Sequence, residues 1–360
     1  MLALRLARGS RPLVQLRRLL VAAASAGTGF LLLYVLAEAA ARPGGSFPRL
    51  LWALVPLAAT VQFAVAVART DPATRPREGL DAAGLGPVRL SLVAAISTAV
   101  ACTLGSALAL AAFLHLRGDL AGLPFDGAGA RLLHAGQPLP VAAALTLLVL
   151  LPLTASAAAA LTLPRRRPLA PQTGLPWGIA LTACGLAALG YAGRGGPGML
   201  VGWSLTAVGL ALAGPGLAYA CGTLVQAVRP GALRLLAGRA LQEEAPQVGP
   251  PLGVLCAVGA AALTALALRD RGGLLVPLGP LGPLTGPAAA LVALCAAATL
   301  LTSAVEARQG RAAGREALTD IGAPAKVLRT AASLRATALV AVCVPLSWGV
   351  AQLTSLALTR

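Results

Sequence analysis

Residues 90–115 read LSLVAAISTAVACTLGSALALAAFLH, twenty-six consecutive positions without an Asp, Glu, Lys or Arg. A helix needs about 20 mostly apolar residues to cross the hydrocarbon core of a bilayer. The same reading extends outward in both directions to eight further segments, at about 19–40, 48–68, 138–163, 175–192, 198–223, 250–268, 284–305 and 332–357. The whole chain of 360 residues is 57% hydrophobic and only 11% charged, whereas soluble domains carry roughly 25% charged residues. A soluble surface cannot be built from this composition. The expected fold is an all-α polytopic membrane protein of about nine spans, with ten as the alternative.

The charges order the loops. The N-terminus, 69–89, 164–174, 224–249 and 306–331, extended to Arg335, hold 21 of the 29 basic residues. Arg42, Arg49, Arg117, Arg131, Arg194, Arg269, Arg271 and Arg360 make up the other set. Arginine and lysine accumulate on the cytoplasmic side of short loops, so the N-terminus is inside and the C-terminus outside. The first segment runs on through Leu31–Leu36 into Ala40, longer than the core of a cleaved signal, and reads as a retained anchor.

A net charge of +17 raises the question of nucleic acid. The basic residues flank spans, where each is attracted to anionic lipid by about 1 kcal/mol. With 3% aromatic residues there is no base-stacking platform, and no nucleic-acid partner is expected. Nor does the sequence carry a phosphate-binding loop, a dinucleotide fingerprint or a zinc-protease helix. His115 falls at a span end and His134 in an outer loop. The six cysteines, Cys102, Cys184, Cys221, Cys256, Cys295 and Cys343, all fall inside spans without metal or redox spacing and read as small apolar packing. Gly198, Gly202, Gly214 and Gly216 read as packing positions that let membrane helices approach closely. No catalytic, cofactor or metal site is expected, and the chain is not expected to be an enzyme.

No span holds an acidic or basic side chain near its centre; Glu38, Glu306 and Arg335 lie near span ends. Intramembrane charges usually mark ion or proton pathways, so ion coupling is disfavoured. Two inner loops, by contrast, carry one short sequence. Arg77-Glu78-Gly79-Leu80-Asp81-Ala82-Ala83-Gly84 and Arg315-Glu316-Ala317-Leu318-Thr319-Asp320-Ile321-Gly322 agree at four of eight positions. Each can form a short surface helix closed by its glycine, after which Pro87 or Pro324 resets the chain before a long span. Residues 1–18 and 229–247 read as basic amphipathic lead-ins lying at the inner interface.

This layout resembles the FtsX-like permease family, the membrane subunits of type VII ABC transporters. The resemblance is carried by Glu316-Ala317-Leu318-Thr319-Asp320-Ile321-Gly322-Ala323 and, more weakly, by Glu78 to Leu85. It implies a long double-unit permease without large outer domains: residues 1–163 as the first unit, 164–229 as a central pair of spans, and 230–360 as a second unit with three spans. It further implies coupling of Arg77, Glu78, Leu80, Gly84, Arg315, Glu316, Leu318 and Gly322 to a dimer of a separate ATP-binding subunit. ATP and magnesium would sit on that partner. Export or extraction of an amphiphilic substrate at a bacterial cell membrane is the function implied, in a high-GC organism by the alanine, arginine and proline bias. The alternatives are an ion-coupled secondary transporter and a non-transporting scaffold or sensor.

Overall fold

A computed structural model of the chain describes residues 12–42, 46–70, 87–120, 124–162, 174–192, 197–227, 231–270, 284–310 and 324–359. Among them lie nine long helices: α1 (Pro12–Ala41), α2 (Ser46–Thr70), α3 (Pro87–Arg117), α4 (Val141–Thr162), α5 (Gly174–Ala192), α6 (Pro197–Ala227), α7 (Ala232–Asp270), α8 (Thr285–Gly310) and α9 (Ala325–Thr359). Each is long and apolar enough to cross a membrane. The protein is an all-α, multi-pass membrane protein. Pro12, Pro87 and Pro197 open α1, α3 and α6, since proline's missing N–H is no loss in a helix's first turn.

The largest departure from the sequence reading is α7. Its 39 residues absorb most of the expected interfacial lead-in together with the span, passing through Pro246, Pro250 and Pro251 without a break. At 1.5 Å per residue α7 is about 58 Å long, nearly twice the ~30 Å hydrocarbon core. The lead-in and the span form one continuous helix. Its Ala237, Leu241 and Ala245 recur at helical spacing and are buried, so it packs as a true helix face.

The chain divides into two compact units. Unit 1 comprises Met1–Arg166 with Pro283–Cys295, and unit 2 comprises Arg167–Gly282 with Ala296–Arg360. In unit 1, α1 to α4 pack on one another. Phe30 of α1 meets Phe113 of α3 edge to face, centroids 5.6 Å apart, within a cluster that includes Leu33, Tyr34, Leu148 and Leu151. The approach of α1 to α3 is close because both present small residues. A β-carbon on Gly29 would lie 2.9 Å from that of Ala109, and one on Gly105 would strike Ser25 and the Ala22 carbonyl. Deeper in the unit, Thr28 and Thr60 share a hydrogen bond of 2.7 Å. In lipid such interhelical bonds average about 0.6 kcal/mol.

Unit 2 is held by glycine. Gly178 and Gly185 on α5 are seven residues apart, as are Gly202 and Gly209 on α6, and the two pairs face each other in antiparallel register. A β-carbon on Gly185 would lie 2.6 Å from the Thr206 nitrogen; one on Gly178 would lie 2.7 Å from the Gly209 carbonyl oxygen. A seven-residue repeat keeps such a seam facing its partner along two turns of each helix. The seam continues between α6 and α7, where Gly222 lies against Gly238 and Gly214 against Gly249. Helix α9 completes the unit: Cys256 of α7 lies 4.0 Å from the Cys343 carbonyl oxygen, and Leu210, Ala260 and Val350 form a small core.

Leucine at Gly185 or Gly209 must therefore part the helices. Overpacking costs about 1–3 kcal/mol even where a core can adjust, and here the clash is with backbone. We expect Gly185→Leu and Gly209→Leu to lower the melting temperature of the detergent-purified protein sharply. Gly286→Ala, with open space around the position, should leave it unchanged.

Candidate functional site

The eight residues expected to couple to a partner, Arg77, Glu78, Leu80, Gly84, Arg315, Glu316, Leu318 and Gly322, lie outside the described residues. What is described is the helices they feed. Pro87 is the first residue of α3. Pro324 immediately precedes α9, and its carbonyl accepts from the Val327 N–H at 2.9 Å. Both prolines therefore act as helix starts.

At the inner end of unit 2 the structure joins two charges that the sequence left apart. Arg335 Nη1 donates to Glu244 Oε1 at 2.9 Å, and their side chains are only 17% and 16% exposed. Their depth follows from helix length. Arg335 is 24 residues from the end of α9, about 36 Å, and Glu244 is 26 residues from the end of α7, about 39 Å. Both distances exceed the ~30 Å core, so the pair lies more than one core thickness from the far ends of both helices. The first ten residues of α9 and the first twelve of α7 project past it. Residues Arg234, Arg239 and Glu243 lie on that projecting part of α7, Lys326 and Arg329 on that of α9.

The α6/α7 contact reaches into the same zone with a local twofold pattern. Gly222 and Gln226 on α6 mirror Gly238 and Gln242 on α7. The Gln226 stem lies over Gly238, and the Gln242 stem lies over Gly222. The buried Gln226 Nε2 has no hydrogen-bond partner among the described residues. The inner face of unit 2 is thus a helical hairpin, α6–α7, clamped to the start of α9 by one ion pair.

One end of unit 1 is closed by residues 118–120 and 124–140. Gly118 and Gly127, both with positive φ (93° and 71°), meet where two turns cross; a side chain is disfavoured in that left-handed region. His134 also has positive φ (53°), a conformation that costs a residue bearing a β-carbon roughly 1–2 kcal/mol. It sets the imidazole Nε2 3.4 Å from Glu38 Oε2. Arg42 donates to the other oxygen of that carboxylate at 3.3 Å, whose side chain is 8% exposed. Nearby, Arg117 reaches Asp119 at 3.2 Å and donates to the Gln137 carbonyl, while His115 Nε2 donates to the Pro124 carbonyl at 3.1 Å. Leu133 is buried in the core of the unit. The contacts of Glu38 with His134, of Arg117 with Asp119 and Gln137, and of His115 with Pro124 each join loop to helix.

Among the described residues no three His, Cys, Asp or Glu side chains gather as metal ligands. None of the six cysteines is in a disulfide; Cys184 is exposed and Cys343 half-buried. Comparison with protein-family models, with characterised proteins and with solved structures finds no match to this chain.

Two outcomes follow. Glu244→Gln and Arg335→Gln should each lower the detergent melting temperature, because removing one member strands the other in a half-dry site. The exchanged pair, Glu244→Arg with Arg335→Glu, should recover part of the loss; in a double-mutant cycle we expect about 1 kcal/mol of coupling or more. At the outer end, Glu38→Gln should speed amide hydrogen exchange in residues 124–137 while leaving α6 and α7 unaffected.

Proposed function

We propose that the protein is the membrane subunit of an ATP-driven transporter, moved from its inner face by a separate ATP-binding subunit dimer. The observation that carries this reading is the inner face of unit 2. There, the inner end of the α6–α7 hairpin and the start of α9 lie more than one core thickness from the far helix ends and are locked together by Glu244–Arg335. A soluble partner pressing on the 315–322 loop would act on the exposed first turns of α9. The ion pair would pass that displacement to α7, and the glycine seam would pass it to α6 and α5. Loop 77–84 feeds α3, whose 31 residues span about 46 Å and likewise exceed the core.

The charge distribution supports a drive from outside the membrane. Among the described residues, the deepest charges of unit 2 neutralise each other, and Glu38 in unit 1 is held by Arg42 and His134. Ion-coupled carriers usually keep a polar site near the midplane. The chain itself is proposed to have no ATPase activity, with ATP and magnesium bound on the partner, and its cargo is proposed to be an amphiphile. The repeated Arg-Glu-x-Leu loops are proposed as the contacts, as in the FtsX-like permeases that the loop sequences resemble.

The test is co-purification from mild detergent with the candidate ATP-binding subunit. Substituting Arg77, Glu78, Arg315 and Glu316 together should abolish a wild-type complex without changing membrane insertion. Glu244→Gln should preserve the complex but uncouple ATP hydrolysis from transport. A complex indifferent to the loop substitutions would exclude those loops as the contact. If the wild type forms no complex, the non-transporting scaffold reading replaces this one.

A further inference from the structure

Two thiols of unit 2 meet where α7 packs on α9. The Cys256 thiol points at the Cys343 carbonyl oxygen, 4.0 Å away, and the two side chains are hydrogen-bond partners. Ser347, one turn along α9, also bonds to the Cys256 side chain and donates to the same Cys343 carbonyl at 2.8 Å. We propose that Cys256 and Cys343 are a modification site, at which lipid peroxyl radicals oxidise the pair to a disulfide that pins α9 to α7. The inference needs only that the protein spans a membrane and is independent of the transport reading.

Depth selects the chemistry. The 24 residues between Glu244 and Arg269 carry no Asp, Glu, Lys or Arg, and as helix they are about 36 Å long. Cys256 stands at their middle, 12 residues from one charge and 13 from the other, and so lies inside a ~30 Å core. Polar oxidants attack the thiolate, and a charge in hydrocarbon is costly. Hydrogen-atom transfer moves no charge. It is the route open to a thiol at this depth, and the peroxyl radicals of unsaturated acyl chains are hydrogen acceptors that dissolve there.

Access distinguishes the two thiols. Cys256 is buried and Cys343 half-buried. On α9, Val340, Val344 and Trp348 recur every fourth residue and are 58–60% exposed, the stripe that faces lipid. Ser347, Val350, Ala351 and Thr354 are buried, the stripe that packs. Cys343 stands at the border of the two, so a radical arriving from the acyl chains meets it first. That radical takes the thiol hydrogen, breaking S–H and forming the O–H of a hydroperoxide. A thiyl radical remains, and hydrogen exchange with the touching Cys256 thiol keeps it within the pair. A second peroxyl radical takes the remaining thiol hydrogen, and the two sulfur radicals couple in one S–S bond. Two thiols are oxidised and two peroxyl radicals reduced to hydroperoxides. Cys221 of α6 also faces Cys343, at longer range, and is the internal competitor.

The experiment uses the full chain carrying Cys184→Ala, which removes the exposed thiol, in liposomes of polyunsaturated phosphatidylcholine. A lipid-soluble azo initiator under air supplies the peroxyl radicals. The protein is then unfolded, its free thiols are alkylated, and its peptides are mapped by mass spectrometry without reduction. We expect Cys256 and Cys343 to lose their free thiols together, into one cross-linked peptide. Cys256→Ser and Cys343→Ser should each abolish that peptide, while Cys221→Ser should leave its yield unchanged. Oxidised glutathione, charged and confined to water, should not produce it. Absence of the cross-link, a Cys221–Cys343 peptide in its place, or equal yield from oxidised glutathione would overturn the proposal.

Discussion

Hydrocarbon gives a helix no partner for a polar group and no hydrophobic reason to leave lipid for another helix. Everything in this molecule follows from those two refusals. The first forces the described chain into helices and drives its charges to their ends. The second means that helices associate only where their backbones can come close, because dispersion contacts must replace equally good contacts with lipid. Glycine and alanine are therefore the cohesive residues here, as leucine would be in water. The exposed leucines and valines of α3, α4 and α6 face outward, the reverse of a soluble bundle.

Proline shows the same constraint from another side. Pro215 in α6 leaves the Ala211 carbonyl without its intrahelical N–H, and Pro246, Pro250 and Pro251 free three more in α7. Unsatisfied carbonyls in hydrocarbon cost several kcal/mol each, yet neither helix breaks. The two proline sites meet each other: Gly249 lies against Gly214 and Pro215, and Gly253 lies against the carbonyls of Leu210 and Ala211. A glycine α-carbon brought so close points a C–H at each oxygen, a weak hydrogen bond of perhaps 0.5–1 kcal/mol. Gly253, which permits close approach, thus also softens the cost of Pro215.

How much of this was legible in the sequence divides along the same line. Span number and order follow from hydrophobic length, because no competing structure can tolerate lipid. Gly202 and Gly214 were readable as packing positions. Their partners Gly185 and Gly249 were not, since the chain holds 41 glycines and small residues carry no sign of which helix they face. The lead-in of α7 misled because Arg234, Arg239 and Glu243 suggest an interfacial face, whereas the buried face at Ala237, Leu241 and Ala245 is written in residues too small to stand out. The Glu244–Arg335 pair was hidden by a separation of 91 residues. A measure of depth, counting each charge back from the outer end of its helix, would have found it. The coupling loops themselves rest on sequence alone.

The two ends of the molecule are built to different purposes. At the outer end of unit 1 the loop is fixed by Leu133 in the core and by Glu38 of α1 and His115 and Arg117 of α3. At the outer end of unit 2, Leu189, Met199 and Leu358 close the helices with an apolar cluster. The inner end of unit 2 has neither device. There the described residues are held by the small buried face of α7 at Ala237, Leu241 and Ala245, by glutamine stems over glycines and by the Glu244–Arg335 pair. A force applied at that end meets the fewest specific contacts, and the longest helices give it the longest arm. Since glycine seams present little side-chain interlock, α5, α6 and α7 can shift along one another with less repacking than the aromatic core of unit 1 would demand. Among the described residues that end is the mechanically soft part of unit 2.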